Sequence, residues 1–246
     1  MQFDTASDCG VDARMAPASV QEVARILAGR FGDFDHYNRK NPLEELLFIV
    51  CSTKTDEKKY LDTYKSLRRR FPRFDQLAIA PVAEIAESLK GGGLYNQKAL
   101  VVKRIMDKLT LMFGRPTLAP LKHMGDTEAE DILLSLPGVG KKTARCILMY
   151  SFGREVYPVD THCWRIAIRL GWIVPSCSNG RCYPKDMDYL QDRIPPSLRY
   201  TLHVNMLPLG REICTVREPK CDVCPITHLC PKIGVAVSSK FEVMTD

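Results

Sequence analysis

Two short segments with helical periodicity are joined by residues 136–144, Leu-Pro-Gly-Val-Gly-Lys-Lys-Thr-Ala. Glycines at Gly138 and Gly140 allow positive φ angles and bring backbone N–H groups to the surface where the next helix begins. Such a turn suits a phosphate group, although a plain helix-turn-helix corner would use glycine in the same way. The pattern predicts two helices joined by a tight turn, and phosphate binding is one of its two interpretations.

Helical signals also dominate the chain before this turn. Asn41 can cap a helix that starts at Pro42, Pro81 opens another, Asn96 can cap a third, and a capping box from Thr127 to Glu130 starts a fourth. The apolar positions of these four helices are, in order, Leu43, Leu46, Leu47 and Val50; Val82, Ile85, Ala86 and Leu89, before the stop at Gly91, Gly92 and Gly93; Leu100, Val101, Ile105, Leu109 and Met112; and Ile132, Leu133 and Leu136. Since strand-like alternation is scarce, the sequence predicts an all-α fold.

Composition sets the broad class. The chain has 246 residues, of which 45% are hydrophobic and 26% charged, enough for one large domain or two modest ones. We expect an intracellular protein, because no apolar run is long enough for a membrane span and the first twenty residues lack signal-peptide features. The net charge of +6 suits a polyanionic partner, but it is also compatible with an ordinary solvated surface.

Four of the ten cysteines are crowded into the residues from 214 to 230. Cys214, Cys221, Cys224 and Cys230 are separated by six, two and five residues, and four thiolates so close could bind zinc or a [4Fe–4S] cluster. The spacing alone leaves both open. We interpret the other six as ordinary buried or surface thiols: Cys9, Cys51, Cys146, Cys163, Cys177 and Cys182.

A second polar motif follows the glycine turn. Tyr-Pro-Val-Asp-Thr-His at residues 157–162 leads into helical spacing through Ile166, Ala167 and Leu170. Asp160 is therefore predicted at the start of a helix, where the ordinary role of an aspartate is to cap the first backbone N–H groups.

The glycine turn, the Val-Asp-Thr-His motif and the cysteine cluster, in this order, resemble the endonuclease III family of helix-hairpin-helix DNA glycosylases. The resemblance covers about residues 41–231. It implies a six-helix barrel domain over 35–154 with the hairpin at about 128–150, and a helical domain formed by 1–34 and 155–246 with a cluster loop at 214–230. It also implies a monomer that binds double-stranded DNA in a cleft between the domains, and a [4Fe–4S] cluster on the four cysteines.

The same resemblance assigns the chemistry. It implies that Lys142 is the nucleophile and that Asp160 is its catalytic partner, as in bifunctional enzymes that remove a base and then cut the strand. The amine must be neutral to attack C1′ of the sugar, whereas an ordinary lysine with a pKa of about 10.4 is protonated at pH 7. We therefore expect burial or nearby positive charge to lower its pKa. The remaining hairpin residues expected to contact DNA are Gly138, Val139, Gly140, Lys141 and Thr143.

Base excision also requires a wedge that fills the stack when the nucleotide is extruded. Leu-Tyr-Asn-Gln-Lys-Ala at residues 94–99 resembles the family's wedge segment, which makes Leu94 the wedge candidate and Tyr95 and Asn96 neighbouring DNA contacts. From the residues alone, a turn before a helix explains the segment equally well. Thr53 stands where the family usually has a glutamine that fills the space left by the extruded base, so the contacts to the opposite strand, and the base-pair preference with them, stay open.

Residues 130–172 are also similar to the plant DEMETER-type glycosylases, which remove 5-methylcytosine. We therefore take oxidised pyrimidines as the default substrate and 5-methylcytosine, or another modified cytosine, as the alternative. A non-catalytic DNA-binding redox sensor is the alternative from a different class of protein. We expect a bacterial, DNA-associated protein.

Three further segments carry predictions. The connection between Gly114 and Asp126 is longer than in the family. Residues 175–184 and the tail after Val235 are predicted as irregular, and the basic run 65–70 is predicted as a solvated helix end.

Overall fold

The computed structural model describes residues 17–177 and 179–235. Every regular element in these ranges is helical, which confirms the predicted all-α class. The helices are α1 Val20–Phe31, α2 Pro42–Ser52, α3 Glu57–Arg70, α4 Phe74–Ile79, α5 Val82–Ser88, α6 Tyr95–Phe113, α7 Asp126–Ser135, α8 Lys141–Phe152, α9 Thr161–Arg169, α10 Pro184–Arg193 and α11 Pro196–Pro208. Within the described ranges, no helix has the length and apolar character needed to cross a membrane.

The chain divides into two compact units. The central unit comprises residues 35–158, and the terminal unit comprises the described residues up to Phe34 together with those from Val159 onward. The central unit therefore contains α2 to α8, and the terminal unit contains α1 and α9 to α11.

Helix α2 forms as the sequence predicts. The side-chain oxygen of Asn41 accepts hydrogen bonds from the backbone N–H groups of Leu43 and Glu44, and Pro42 occupies the first helical position. All four of its predicted apolar positions are buried in the core of the central unit. Helix α5 begins directly after Pro81, and its Ile85 and Ala86 lie in the same core.

Two predicted helix starts are wrong. Helix α6 is not capped by Asn96: Leu94 occupies the cap position in a left-handed conformation, and Asn96 lies exposed in the first turn. Its buried face runs through Val102, Ile105, Met106 and Leu109, whereas Leu100 and Met112 are exposed. The predicted apolar face of this helix was therefore wrong at Leu100 and Met112, which have helical spacing but do not face the core.

Helix α7 does not begin at a capping box. Gly125 is its cap residue, and Thr127 lies inside the first turn without a side-chain capping bond. The long connection before it is packed in place, because Leu118 and Leu121 are buried in the core. Arg154 donates hydrogen bonds to the carbonyl oxygens of Lys122 and Met124 at 3.1 and 3.0 Å.

In the terminal unit, the beginning of the described chain packs against its later part. Helix α1 packs along α11, and the Trp172 indole N–H donates a hydrogen bond to the carbonyl oxygen of Ala18 at 2.8 Å. Asn205 of α11 donates to the Asp33 carboxylate at 2.9 Å. These bonds explain why sequence-distant segments share one unit.

The described part of 175–184 contains no helix before α10 starts at Pro184, as predicted, and the tail after Val235 lies outside the described residues. The basic run 65–70 forms the last turns of α3. Two of its arginines are engaged with carboxylates, since Arg68 pairs with Glu44 at 2.9 Å and Arg70 pairs with Glu84 at 2.7 Å.

Candidate active site

The hairpin of the central unit is formed by α7, a turn and α8. Gly138 has a φ of +76°, and a Cβ atom there would lie 3.1 Å from Val101 Cγ1 of α6, so both the conformation and the close approach favour glycine. Gly140 caps α8 with extended backbone, and Lys141, Lys142 and Thr143 form the first turn of that helix. The backbone N–H groups of this turn point along the helix axis away from its body, as an anion site requires.

The surroundings of Val139 and Lys141 limit which of their atoms can contact DNA as expected. The side chain of Val139 is buried in the core, so only its backbone is available to a ligand. Lys141 Nζ lies 3.9 Å from Glu130 Oε1, and the same oxygen accepts from Arg145 Nε at 3.2 Å. Glu130 of α7 thus orders basic side chains of α8, a role that the sequence pattern did not reveal.

Lys142 is half-buried at the start of α8, and its charge acts on a carboxylate that sequence reasoning missed. Glu45 of α2 is 0% exposed. Its two oxygens accept hydrogen bonds at 2.6 Å, one from Asn38 Nδ2 and one from the backbone N–H of Arg39. Burial raises the pKa of Glu45, while these hydrogen bonds and then the positive charge of Lys142 oppose that rise.

Asp160 belongs to the terminal unit, where it caps α9. Its Oδ1 accepts from the backbone N–H groups of His162 and Cys163 at 2.9 and 2.7 Å, as expected for an aspartate at a helix start. Behind it, Gly210 approaches the imidazole of His162 so closely that a Cβ atom would lie 2.6 Å from Nδ1. Burial lowers the pKa of His162, so this imidazole is neutral at pH 7.

The wedge candidate lies beside the segment that contains Thr53. Leu94 is 43% exposed and has a φ of 58°, a conformation that costs an L-residue roughly 1–2 kcal/mol. The buried ammonium of Lys98 donates to the Cys51 carbonyl and the Thr55 hydroxyl, both at 2.7 Å, which fixes the start of α6 against the end of α2. Thr53 is exposed at that end, so the structure brings these two candidates to neighbouring segments.

The four clustered cysteines line one cavity of the terminal unit. Its walls are otherwise largely apolar, with Ile166, Leu170, Leu209, Ile213 and Ile226 among them. Arg169 of α9 donates to Cys214 Sγ at 3.0 Å, and the Cys230 thiol lies 3.3 Å from the Arg169 carbonyl oxygen. Burial raises the pKa of Cys224, and it raises the pKa of Cys230 to about 11.

These thiols are not gathered into a compact site for one ion. In residues 17–177 and 179–235, no three His, Cys, Asp or Glu side chains form a group that could hold a metal ion. Of the other cysteines, Cys51, Cys146 and Cys163 are buried, Cys177 is exposed and Cys182 is partly exposed, in keeping with ordinary thiols. Cys9 lies outside the described residues.

Comparisons with known proteins match this architecture to one superfamily. The family described as "HhH-GPD superfamily base excision DNA repair protein" matches residues 47–182. The chain is 31% identical to the putative DNA glycosylase At3g47830 of Arabidopsis thaliana, over 78% of this chain and 65% of that protein. It is 28% identical to endonuclease III of Thermotoga maritima, over 86% of this chain and 92% of that protein.

The comparisons also confirm both resemblances read from the motifs. A solved structure of endonuclease III in a trapped covalent intermediate with DNA superposes with a TM-score of 0.70 at 25% identity, covering 87% of this chain and 96% of that one. The chain is 28% identical to the transcriptional activator DEMETER of Arabidopsis thaliana over 68% of this chain, which spans 9% of that protein. It is 30% identical to the DNA glycosylase/AP lyase ROS1 of the same plant over 65% of this chain, which spans 12% of ROS1. The chain therefore belongs to the HhH-GPD superfamily of base-excision DNA repair proteins.

Proposed function

We propose that the protein is a bifunctional DNA glycosylase and abasic-site lyase, and that Lys142 is its nucleophile. The observation that carries the proposal is the position of a half-buried lysine in the first turn of α8, directly after the glycine turn, in a chain of this superfamily. The relatives add support, because ROS1 is named a DNA glycosylase/AP lyase and endonuclease III has been trapped covalently on DNA.

The two proposed catalytic residues have complementary roles. The neutral amine of Lys142 bonds to C1′ of the nucleotide while the base departs, and the resulting Schiff base permits β-elimination of the 3′ phosphate. Asp160 supplies a carboxylate to stabilise the positive charge that develops on the sugar. Because one of its oxygens already caps α9, the carboxylate is oriented before DNA binds.

DNA contacts follow from the same assignment. We propose that the N-terminus of α8 binds a phosphate through the backbone of residues 138–143, with Lys141 adding charge. Leu94 is the proposed wedge, since it is apolar, exposed and held in a fixed conformation, and Tyr95 and Asn96 follow it into the helix. Thr53, on the adjacent segment, would meet the opposite strand with a short side chain.

We further propose that Cys214, Cys221, Cys224 and Cys230 hold a [4Fe–4S] cluster. A single zinc ion also takes four thiolates, so the residue types alone leave zinc and the cluster open. The four thiols line one largely apolar cavity, and their spacing resembles the cluster loop of the endonuclease III family, which favours the [4Fe–4S] cluster. When bound, the cluster supplies the bonds that hold the loop from 214 to 230 folded.

Borohydride trapping tests the proposed nucleophile. The wild-type protein should form a covalent adduct with a duplex that contains an abasic site, because hydride reduces the Schiff base to a stable amine. Lys142→Ala should form none. The matched control is Lys141→Ala, which removes the neighbouring ammonium but should still trap. A wild-type protein that binds abasic DNA without trapping would contradict the lyase proposal and favour a non-catalytic DNA-binding protein.

The base removed is the second part of the proposal. Oxidised pyrimidines are the proposed substrate, since endonuclease III of Thermotoga maritima matches over nearly its full length. The similarity to ROS1 favours 5-methylcytosine as the alternative. A panel of duplexes, each with one modified base, should show base release from an oxidised pyrimidine; release from 5-methylcytosine instead would select the alternative.

A further inference from the structure

Two short segments of the central unit meet beside the proposed wedge. The Leu94 segment, residues 93–98, leads into α6, and the Thr53 segment, residues 51–55, follows the end of α2. Leu94 and Thr53 are both exposed. Two side chains can enter one base stack together only if their separation is fixed, so the bonds between these segments bear directly on the proposed function.

Lys98 joins the two segments. It is only 4% exposed, which is unusual for a lysine. Its ammonium donates to the Cys51 carbonyl oxygen and to the Thr55 hydroxyl, both at 2.7 Å. Its backbone N–H donates to the Leu94 carbonyl oxygen at 2.9 Å. A buried ammonium is costly unless its protons are bonded, so these acceptors fix where the side chain lies.

Thr55 extends the connection to Thr53. Its hydroxyl accepts from Lys98 and donates to the Thr53 carbonyl oxygen at 3.2 Å. The segments also touch directly, because a Cβ atom at Gly93 would lie 2.9 Å from the Lys54 carbonyl oxygen. The backbones of the two segments are therefore tied by a chain of hydrogen bonds and by a close approach that leaves no room for a side chain.

Each segment contains a residue in the left-handed conformation. Leu94 has a φ of 58°, and Lys54 has a φ of 48°. A residue other than glycine keeps this conformation only where surrounding contacts hold it. The bonds of Lys98 connect the segments that contain these two positions, so their loss would let Leu94 relax and point its side chain elsewhere.

We propose that Lys98 is a positioning residue that holds Leu94 and Thr53 as one preformed unit for insertion into the duplex; this rests on the wedge role proposed above for Leu94. Lys98 is buried and acts through the backbone of the two segments. A preformed unit loses little conformational freedom when it binds. Without the bonds of Lys98, the segments would have to become ordered at the moment of insertion, which disfavours the inserted state.

The experiment measures insertion with a fluorescent base. A duplex carries an unreactive abasic-site analogue opposite 2-aminopurine, whose fluorescence rises when it loses its stacked neighbours, and protein is added until binding is saturated. Saturation separates insertion from affinity. Lys98→Met keeps an unbranched side chain and removes the ammonium. Lys103→Met is the matched control, because Lys103 lies on the same helix and donates to the Ala78 carbonyl oxygen at 2.5 Å.

A second pair of variants tests the same connection without changing the buried lysine. Thr55→Val removes the hydroxyl and keeps the shape of the side chain, whereas Thr55→Ser keeps the hydroxyl. For Lys98→Met we expect the equilibrium to shift about tenfold or more from the inserted to the stacked state, as for lost hydrogen bonds to a charged group. Most of the fluorescence rise should then be lost. Thr55→Val should lose less, and Thr55→Ser and Lys103→Met should keep the wild-type rise.

A wild-type rise in the folded Lys98→Met variant would overturn the inference. Equal losses in Thr55→Val and Thr55→Ser, or a comparable loss in Lys103→Met, would overturn it too, because the effect would not follow from these bonds. If Lys98→Met does not fold, the Thr55 pair decides. The inference also falls if wild type gives no rise or if Leu94→Ala keeps it, since Leu94 is then not the wedge. Borohydride trapping through Lys142 tests the lyase proposal separately.

Discussion

Single residues of this protein carry both a structural and a proposed chemical role, and Asp160 is the clearest case. The sequence predicted a helix cap there, and the cap is present, but the same position is the proposed charge stabiliser. The two backbone N–H groups that bond to the carboxylate belong to the first turn of α9. Because that turn is held in the helix, the bonds orient the carboxylate. The two roles can be separated, since an amide oxygen also accepts hydrogen bonds but carries no charge.

Asp160→Asn should preserve the cap and remove the charge. We expect base release to fall by about 10²-fold or more, as when one stabilising group is lost, with stability nearly unchanged. Asp160→Ala should lose the cap as well, at about 1 kcal/mol of unfolding free energy. Single-turnover base release and urea unfolding measure the two effects. Full activity in the folded Asp160→Asn variant would remove Asp160 from the mechanism.

The family resemblance identified Lys142 and Asp160 as catalytic candidates, because both stand in its motifs, whereas the crowding of the four cysteines was visible from the residues alone. Glu45 and Glu130 were missed for a physical reason. Glu45 is distinguished by complete burial and by the hydrogen bonds that it accepts from Asn38 and Arg39. Glu130 is distinguished by its contacts with Lys141 and Arg145 of α8, and neither the burial nor these contacts can be read from the local pattern. For Glu45, an acid inside a nearly continuous apolar helix was the available signal.

Among the elements, helices were predictable where cap chemistry and the apolar face agreed. Helix α2 has both an asparagine cap and a proline at its first position, and its four apolar residues are buried. Helices α6 and α7 start without any side-chain capping bond. The start of α6 is instead fixed by tertiary contacts, namely the bonds of Lys98 and the close approach of Gly93 to the Lys54 carbonyl oxygen. Such contacts are absent from local sequence.

The hairpin provides a matched pair of glycines for a test at this scale. Gly138→Ala should lower the unfolding free energy by about 1–2 kcal/mol, because it forces a side chain into a left-handed conformation and against Val101. Gly140→Ala has ordinary backbone angles and open space around its Cβ, so its loss should be limited to the weaker preference for alanine at a helix cap, below about 1 kcal/mol. Urea unfolding of the two variants provides the comparison, and equal stabilities would show that the turn tolerates another conformation.

In the whole molecule, the terminal unit combines α1 with the helices from α9 onward. The proposed cluster loop at 214–230 follows those later helices. Sequence predicted which cysteines belong together, but zinc and a [4Fe–4S] cluster share the same four-thiolate pattern. The resemblance of their spacing to the endonuclease III family is what favours the cluster, and the four thiols line one shared, largely apolar cavity.

Replacement of one proposed ligand tests this assignment. Wild-type protein purified without oxygen should contain about four iron atoms per chain and absorb visible light broadly. Cys221→Ser should lose most of this iron and unfold at lower urea concentration, since cluster binding and folding are coupled. Cys177→Ser, at an exposed thiol outside the cavity, should retain both properties. Zinc in place of iron, or full iron content in Cys221→Ser, would contradict the assignment.

Locating the covalent bond between protein and DNA tests the proposed nucleophile. After reduction with borohydride in the presence of abasic-site DNA, the protein is digested and the peptide that carries the sugar remnant is sequenced by mass spectrometry. We predict a single modified position, Nζ of Lys142. Modification of Lys141 or of another amine, with Lys142 unchanged, would contradict the account.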